Sequence, residues 1–125
     1  MIFDTDVVIW ALGGRPSAAA LINRTEQREL SVVSYMELIR GARGRQELRA
    51  VESFLAQLDF LLLPLTENIG HRASVYVEEY ALKSSLGVPD ALIAATAMEN
   101  NRILCTGNAK HYRVIGDLQL QAFRP

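Results

Sequence analysis

Short apolar runs alternate with longer amphipathic stretches along the chain. The first run, residues 1–9, is broken only by polar residues at 4–6, which fits a short buried strand that carries two acids into a turn. The continuous apolar run that ends at Pro64 predicts a strand buried on both faces. The predicted strands are residues 1–9, 30–33, 60–63, 103–106 and, as an alternating edge strand, 118–123.

Between these strands, apolar residues recur at helical spacing. In residues 46–59 they occupy one face, opposite charged residues, which predicts an amphipathic helix. Residues 90–100 are small or apolar nearly all round and predict a central helix. The other predicted helices are 18–25 after an N-cap at Ser17, 34–42 with Ser34 and Glu37 as a capping box, and 66–87 after a cap at Thr66, and residues 107–112 are predicted to form a loop.

This order of elements predicts an α/β fold with a mainly parallel central sheet that helices cover on both faces. The length of 125 residues fits a single domain over 1–125. In open parallel sheets the functional crevice lies outside the carboxyl ends of the strands. Residues that directly follow a strand are therefore the first candidates for chemistry.

Composition and charge exclude several classes of protein. The longest apolar runs fall short of the about 20 residues that a membrane-spanning helix needs, and the acidic amino terminus does not resemble a signal peptide, so we expect a cytoplasmic protein that does not bind membranes. A net charge of -1 excludes a uniformly basic protein that binds nucleic acid nonspecifically over its whole surface. A nucleic-acid substrate must then be bound by a local patch or through metal.

Acidic and amide side chains collect at the predicted strand ends. Clustered carboxylates bind Mg²⁺ or Mn²⁺, and such a cation can stabilise charge and activate water for hydrolysis of a phosphodiester. The two histidines have no paired spacing for zinc, and the single cysteine, Cys105, is interpreted as a buried strand residue rather than a nucleophile. The candidates are Asp4, Asp6, Glu37, Thr106 and Asn108, with Asp90 at the head of the apolar helix.

Each acid also has a purely structural interpretation. An unpaired buried carboxylate is unfavourable, so Asp4 in an apolar strand favours a functional role. Asp6 is explained equally well as a cap of the following turn, and Glu37 as the capping-box partner of Ser34. Asp90 is a favourable charge at a helix N-terminus. The residues alone leave these alternatives open.

Four segments of the chain resemble the successive motifs of PIN domains. They also resemble, more narrowly, the VapC-like toxins of prokaryotic toxin–antitoxin pairs. The segments occur in the family's order and span nearly the whole chain, which makes them more specific together than any one alone. They are DTDVVI at 4–9, SYMELIRG at 34–41, PDALIAATA at 89–97 and TGNAKHY at 106–112.

The resemblance implies a three-layer α/β/α fold and a magnesium-dependent RNA endonuclease, with Mn²⁺ as a substitute cofactor. Many PIN domains carry a fourth acid near the position of Asn108, and the family often has Asn where this chain has Asp6. The amide at Asn108 therefore predicts one firmly held metal ion. The resemblance assigns metal binding and catalysis to Asp4, Glu37 and Asp90, with Asp6, Thr106 and Asn108 in support.

Cationic residues lie just beyond two of these motifs. Arginines at 40, 43, 45 and 49 follow the Glu37 segment, and guanidinium groups there can bind an RNA backbone. A solvated helix end is the alternative for any one of them. We predict that Arg40, Arg43 and Lys110 contact the substrate.

Two functions from different classes account for these features. The first is an endoribonuclease in which a metal-polarised water attacks the RNA phosphodiester. The second is a PIN-fold module that binds RNA or a partner protein with weak turnover, because the fourth acid is missing. For the first function, the resemblance implies a homodimer, a VapB-like antitoxin that covers the acidic pocket, and contact with operator DNA only through that antitoxin.

Overall fold

Five short strands form one parallel sheet in a computed structural model that describes residues 1–125. The strand order is β3-β2-β1-β4-β5, and all four neighbouring pairs are parallel, which confirms the predicted α/β class. The bounds are β1 (Ile2–Phe3), β2 (Glu29–Ser31), β3 (Leu61–Leu63), β4 (Leu104–Thr106) and β5 (Leu120–Ala122).

Seven helices connect and cover these strands. No helix combines the length and the apolar character needed to cross a membrane. The helices are α1 (Thr5–Leu12), α2 (Pro16–Arg24), α3 (Val32–Gly41), α4 (Arg45–Gln57), α5 (Glu67–Tyr80), α6 (Val88–Glu99) and α7 (Ala109–Tyr112).

Alternate strand residues point to opposite faces of the sheet and join two separate cores. Ile2 and Leu104 pack with the buried residues of α5 and α6, whereas Phe3 and Cys105 pack with those of α1, α2 and α4. Helices therefore lie on both faces, as predicted. Cys105 is fully buried in β4, and burial raises the pKa of its thiol to about 11, so the protonated form dominates at neutral pH.

The amino-terminal segment differs from its prediction. The strand ends at Phe3, and residues 5–12 form helix α1 instead of continuing the strand. Val7 and Val8 favour strands by propensity, but as helix residues both bury fully in the second core, while Ile9 stays 53% exposed. Tertiary packing thus outweighs local β-propensity here.

Two of the three predicted helix caps are wrong. Thr66 caps α5, because its Oγ1 accepts the Ile69 N–H at 3.2 Å. Ser31, not Ser34, caps α3, since Ser31 Oγ accepts the Val33 N–H at 3.1 Å, and Glu37 is therefore not a capping-box partner. Helix α2 begins at Pro16, and Arg15 takes the place predicted for Ser17. Helix α5 also ends at Tyr80, well before residue 87.

Two further local predictions change. The strand predicted to be buried on both faces, β3, lies at a sheet edge, where Leu61 is 58% exposed. An apolar run marks a β-strand but does not reveal whether both of its faces are covered. The segment predicted as the loop 107–112 contains the short helix α7, whereas the predicted edge strand near the carboxyl terminus is confirmed as β5.

Candidate active site at the carboxyl ends of the sheet

Asp4 lies where the first strand ends, beside the end of the adjacent strand β4. The connections that leave β1 and β4 lead to opposite sides of the sheet. The junction of these two strands is therefore the switch point of the topology. Asp4 is 7% exposed, and its Oδ1 accepts the Thr5 N–H at 2.8 Å, so the residue also caps α1. Its Oδ2 accepts the Thr106 hydroxyl at 2.7 Å across the switch point.

Asp90 lies in the first turn of α6 and receives donors from α7. The Tyr112 hydroxyl donates to its Oδ1 at 3.2 Å, and His111 Nε2 lies 2.8 Å from its Oδ2. The same Oδ2 accepts the Gly87 N–H at 3.3 Å, so the predicted role at the helix N-terminus is present as well. The carboxylate is thus fixed on one side by its own helix and on the other by α7.

Tyr112 connects the two aspartates. Its side chain is almost fully buried, and its hydroxyl lies between Asp90 and Asp4. Burial, followed by the charges of Asp4 and Asp90, raises the pKa of the Tyr112 hydroxyl far above its usual value. The phenol therefore stays protonated and donates its hydrogen bond to Asp90, with Asp4 nearby.

Glu37 reaches the same end of the sheet from α3. Its Oε1 accepts the Thr5 hydroxyl at 2.7 Å, directly beside Asp4 in the chain, and the side chain is exposed to solvent. We refer to Asp4, Glu37 and Asp90 as the acidic centre. An apolar cavity of about 200 Å³ adjoins Glu37 and is lined in part by Ile9, Leu12, Leu38 and Val51.

Asp6 ties the start of α1 to the loop after β4. Its Oδ2 accepts the Gly107 N–H at 3.1 Å, whereas its Oδ1 is buried without a hydrogen-bond partner. A Cβ added at Gly107 would lie 2.5 Å from Trp10 Cζ3, so only glycine fits at this position. Trp10 itself packs against Phe123.

The electrostatics of this region fit a cation. Burial raises the pKa of Asp4, and the nearby charge of Asp90 adds to that rise, although hydrogen bonds oppose it. Burial and the charge of Asp4 raise the pKa of Asp6 to about 6. No group of three or more His, Cys, Asp or Glu side chains lies close enough together to hold a metal ion by itself. Mg²⁺ commonly uses only one or two carboxylates and retains several waters, so the donor set suits a hydrated hard cation.

The raised pKa of Asp6 predicts a pH-dependent stability. In the unfolded chain this carboxyl has an ordinary pKa near 3.8, so between about pH 4 and 6 the folded state binds more protons. The ionised carboxylate therefore destabilises the folded protein increasingly as the pH rises through this window. In EDTA, we expect the melting temperature of Asp6→Asn to rise relative to that of the wild type from about pH 4 to 6. Above this range, the difference between the two melting temperatures should stay constant.

Thermal melts at successive pH values check this prediction. Asp117→Asn is a suitable control because Asp117 is exposed and makes no ion pair. A constant difference between Asp6→Asn and the wild type across the whole range would contradict the assignment.

The structure brings most of the predicted site residues together. Thr106 holds Asp4, Asp6 contacts the following loop, and the Asn108 N–H donates to Thr106 Oγ1 at 3.0 Å. The predicted substrate contacts lie elsewhere: Arg40 is in the last turn of α3, Arg43 is in the segment between α3 and α4, and Lys110 is on α7. All three are exposed, and their side chains form no ion pair.

Three residues with direct contacts to the acids were not in the predicted site. Tyr112 and His111 fall in the segment predicted as a loop, and Thr5 was assigned to a strand end. The sequence carries a signal for the first two, because both lie inside the TGNAKHY segment. The contacts themselves depend on α7 folding back over Asp90.

Comparisons with known proteins assign this arrangement to a family. The family model for the PIN domain matches residues 1–116. Ribonuclease VapC19 of Mycobacterium tuberculosis is 34% identical over 124 residues, an alignment that covers 94% of this chain and 96% of that protein.

Solved structures give the same result. The chain resembles VapBC-1 from nontypeable Haemophilus influenzae with a TM-score of 0.77 and 28% identity, covering 98% of each chain. It also shares its fold with VapBC2 from Rickettsia felis bound to a promoter DNA fragment, with a TM-score of 0.83, 21% identity and coverage of 99% and 100%. The chain therefore belongs to the PIN-domain family, among the relatives of the VapC ribonucleases.

Proposed function

We propose that this chain is an endoribonuclease, the toxin of a toxin–antitoxin pair, that hydrolyses RNA phosphodiesters with a divalent cation, preferably Mg²⁺. The observation that carries the proposal is the connected set of carboxylates at the switch point. Asp4 is held by Thr106, Asp90 by Tyr112 and His111, and Glu37 by Thr5. These oriented like charges support the proposal of a cation that the three carboxylates would coordinate.

Asp4, Glu37 and Asp90 would hold the cation, and the side-chain amide of Asn108 would contact water or the substrate. When bound, a divalent cation supplies Lewis-acid stabilisation of the developing phosphoryl charge and lowers the pKa of water. The amide at Asn108 contributes no charge, which favours one firmly held ion. The hard oxygen donors favour Mg²⁺, and Mn²⁺ is a natural substitute.

The surrounding side chains hold the carboxylates in fixed orientations. The Thr106 hydroxyl occupies one oxygen of Asp4, and the Thr5 N–H occupies the other. Tyr112 stays protonated, and its hydroxyl holds Asp90 in place by donating a hydrogen bond to it. Preorganised groups of this kind are worth most in a site from which bulk water is excluded. Arg40 and Arg43 would bind RNA phosphates at the entrance, where they position the strand without reading its sequence.

A protein partner is part of the proposal. The comparison structures are VapBC complexes, and one of them is bound to promoter DNA. The apolar cavity beside Glu37 would accept an apolar segment of a VapB-like antitoxin and bring that segment close to the acidic centre. We further propose that each chain forms one domain and that two chains form a homodimer. The protein would contact operator DNA only through the antitoxin, and it would act in the cytoplasm, where the RNA substrate occurs.

A substrate panel with Mg²⁺ tests the function. We expect the chain to cut single-stranded or structured RNA, and to leave DNA of the same sequence and phosphate monoesters intact. RNA affinity with no cleavage under any divalent cation would instead identify a binding module of weak turnover, the alternative that the amide at Asn108 favours. Cleavage of DNA or monoesters at equal rates would reject an RNA-specific enzyme.

A further inference from the structure

A second cavity adjoins the acidic centre on the side of α7. Its volume is about 450 Å³. Asn108 and His111 form one wall, and the same two residues contact Thr106 and Asp90 of the site described above. The opposite wall comes from the turn after α5. The lining includes Lys83, Ser84, Ser85, Asn108, Lys110 and His111.

Two cationic side chains without an ion pair line this cavity. Lys83 and Lys110 are the only lysines in a chain with 13 cationic residues, and both line it. Neither forms an ion pair, and no acid lines the cavity. The cavity around Arg28 and Arg102 differs, because Glu26, Glu29 and Asp59 balance its charge.

The hydroxyl groups of the cavity already have partners. Ser84 Oγ lies 3.3 Å from the Tyr80 carbonyl and accepts the Leu86 N–H at 3.2 Å. Ser85 Oγ lies 2.8 Å from His111 Nδ1. With the Nε2 proton of His111 directed to the Asp90 carboxylate, Nδ1 accepts the Ser85 hydroxyl. The donors that remain are the two ammonium groups and the Asn108 amide.

Such a donor set matches a phosphodiester. Ammonium groups bind phosphate oxygens as compact point charges, and they do not require the fixed bidentate geometry of arginine. An anion is attracted to this cavity and repelled by the neighbouring carboxylates. A strand that bridges the two sites would therefore place one phosphate here and the next toward the acidic centre.

We propose that this cavity binds an RNA backbone phosphate adjacent to the scissile one, with Lys83 and Lys110 as its ligands. The proposal rests on the proposed function and names the residues that position the substrate. Lys83 comes from the turn after α5, outside every segment that pointed to the site in the sequence. Because phosphate contacts carry no base information, their effect is expected to be the same for all RNA sequences.

Binding of a labelled oligoribonucleotide in EDTA, measured by fluorescence anisotropy, tests the proposal without cleavage. We expect Lys83→Gln and Lys110→Gln each to weaken binding on the order of tenfold. The double variant should lower the slope of log affinity against log salt by about 1.4, since each contact to a single strand contributes about 0.7. Lys83→Arg with Lys110→Arg should bind as the wild type does, within about threefold.

Arg24→Gln is the matched control, because it removes the same charge from an exposed position on α2 outside this cavity. Equal weakening by Arg24→Gln and by the lysine variants would overturn the proposal in favour of general charge. Wild-type affinity in the double variant, with Mg²⁺-dependent cleavage retained, would also overturn the proposal. Lysine-dependent binding without any cleavage would support the phosphate site and reject the proposed enzyme.

Discussion

Asp4→Asn is expected to lower Mg²⁺-dependent RNA cleavage by roughly 10²–10³-fold, the scale seen when one preorganised electrostatic group is removed. The substitution keeps the shape of the side chain and removes its charge. Asparagine is also a good N-cap, so α1 is retained. The loss would therefore reflect a missing cation ligand and not a missing helix.

A stability measurement separates these two causes. Burial raises the pKa of Asp4, which means that the ionised carboxylate destabilises the folded protein at pH 7.5 in the absence of metal. The sign follows from the protons bound: the penalty grows as the pH rises above the pKa of the unfolded chain, and a neutral amide removes it. In EDTA at pH 7.5, Asp4→Asn should melt at or above the temperature of the wild type. A clearly lower melting temperature, or retained cleavage, would contradict the role of Asp4.

Glu37→Gln is expected to lower cleavage on the order of 100-fold with almost no effect on folding. Glu37 is exposed, and glutamine retains an oxygen that can accept the Thr5 hydroxyl. Surface substitutions of this kind change stability by less than about 0.5 kcal/mol. The charge at the acidic centre is the property that changes.

Glu47→Gln provides the matched control. Glu47 is an exposed glutamate that lines the same apolar cavity, and its side chain contacts the Arg43 backbone N–H and not the acidic centre. Its cleavage rate should stay within about twofold of the wild type. If both variants lose activity equally, the effect of Glu37 is one of general surface charge, and Glu37 is not a ligand.

The sequence predicted the α/β class, the mainly parallel sheet and the position of Asp4 from patterns that local physics determines. Apolar runs mark the sheet, and an acid that directly follows a buried strand is informative by itself. The bounds of α1 were not predictable in the same way. The β-branched residues at 7–9 favour a strand locally, and only the second core, assembled from α2 and α4, provides the contacts that make a helix more stable.

The contacts around the other two acids show the same limit. The structure removes the capping-box explanation of Glu37, because α3 is capped at Ser31. It adds donors to Asp90 from residues 21 and 22 positions away, and no periodicity indicates which side chains α7 brings there. The sequence alone therefore could not distinguish the structural from the functional interpretation of Glu37 and Asp90, because the distinction depends on tertiary contacts.

The most direct test of the whole account is the rate of RNA cleavage measured in EDTA and again after Mg²⁺ is added back, with wild type and Asp90→Asn side by side. We expect no cleavage in EDTA, full recovery in the wild type, and a requirement for at least about tenfold more Mg²⁺ in Asp90→Asn, since even the loss of a residue that orients a ligand typically weakens metal binding by about 10–100-fold. Cleavage that persists in EDTA, or identical Mg²⁺ dependence of the two proteins, would contradict a metal-dependent site built on these carboxylates.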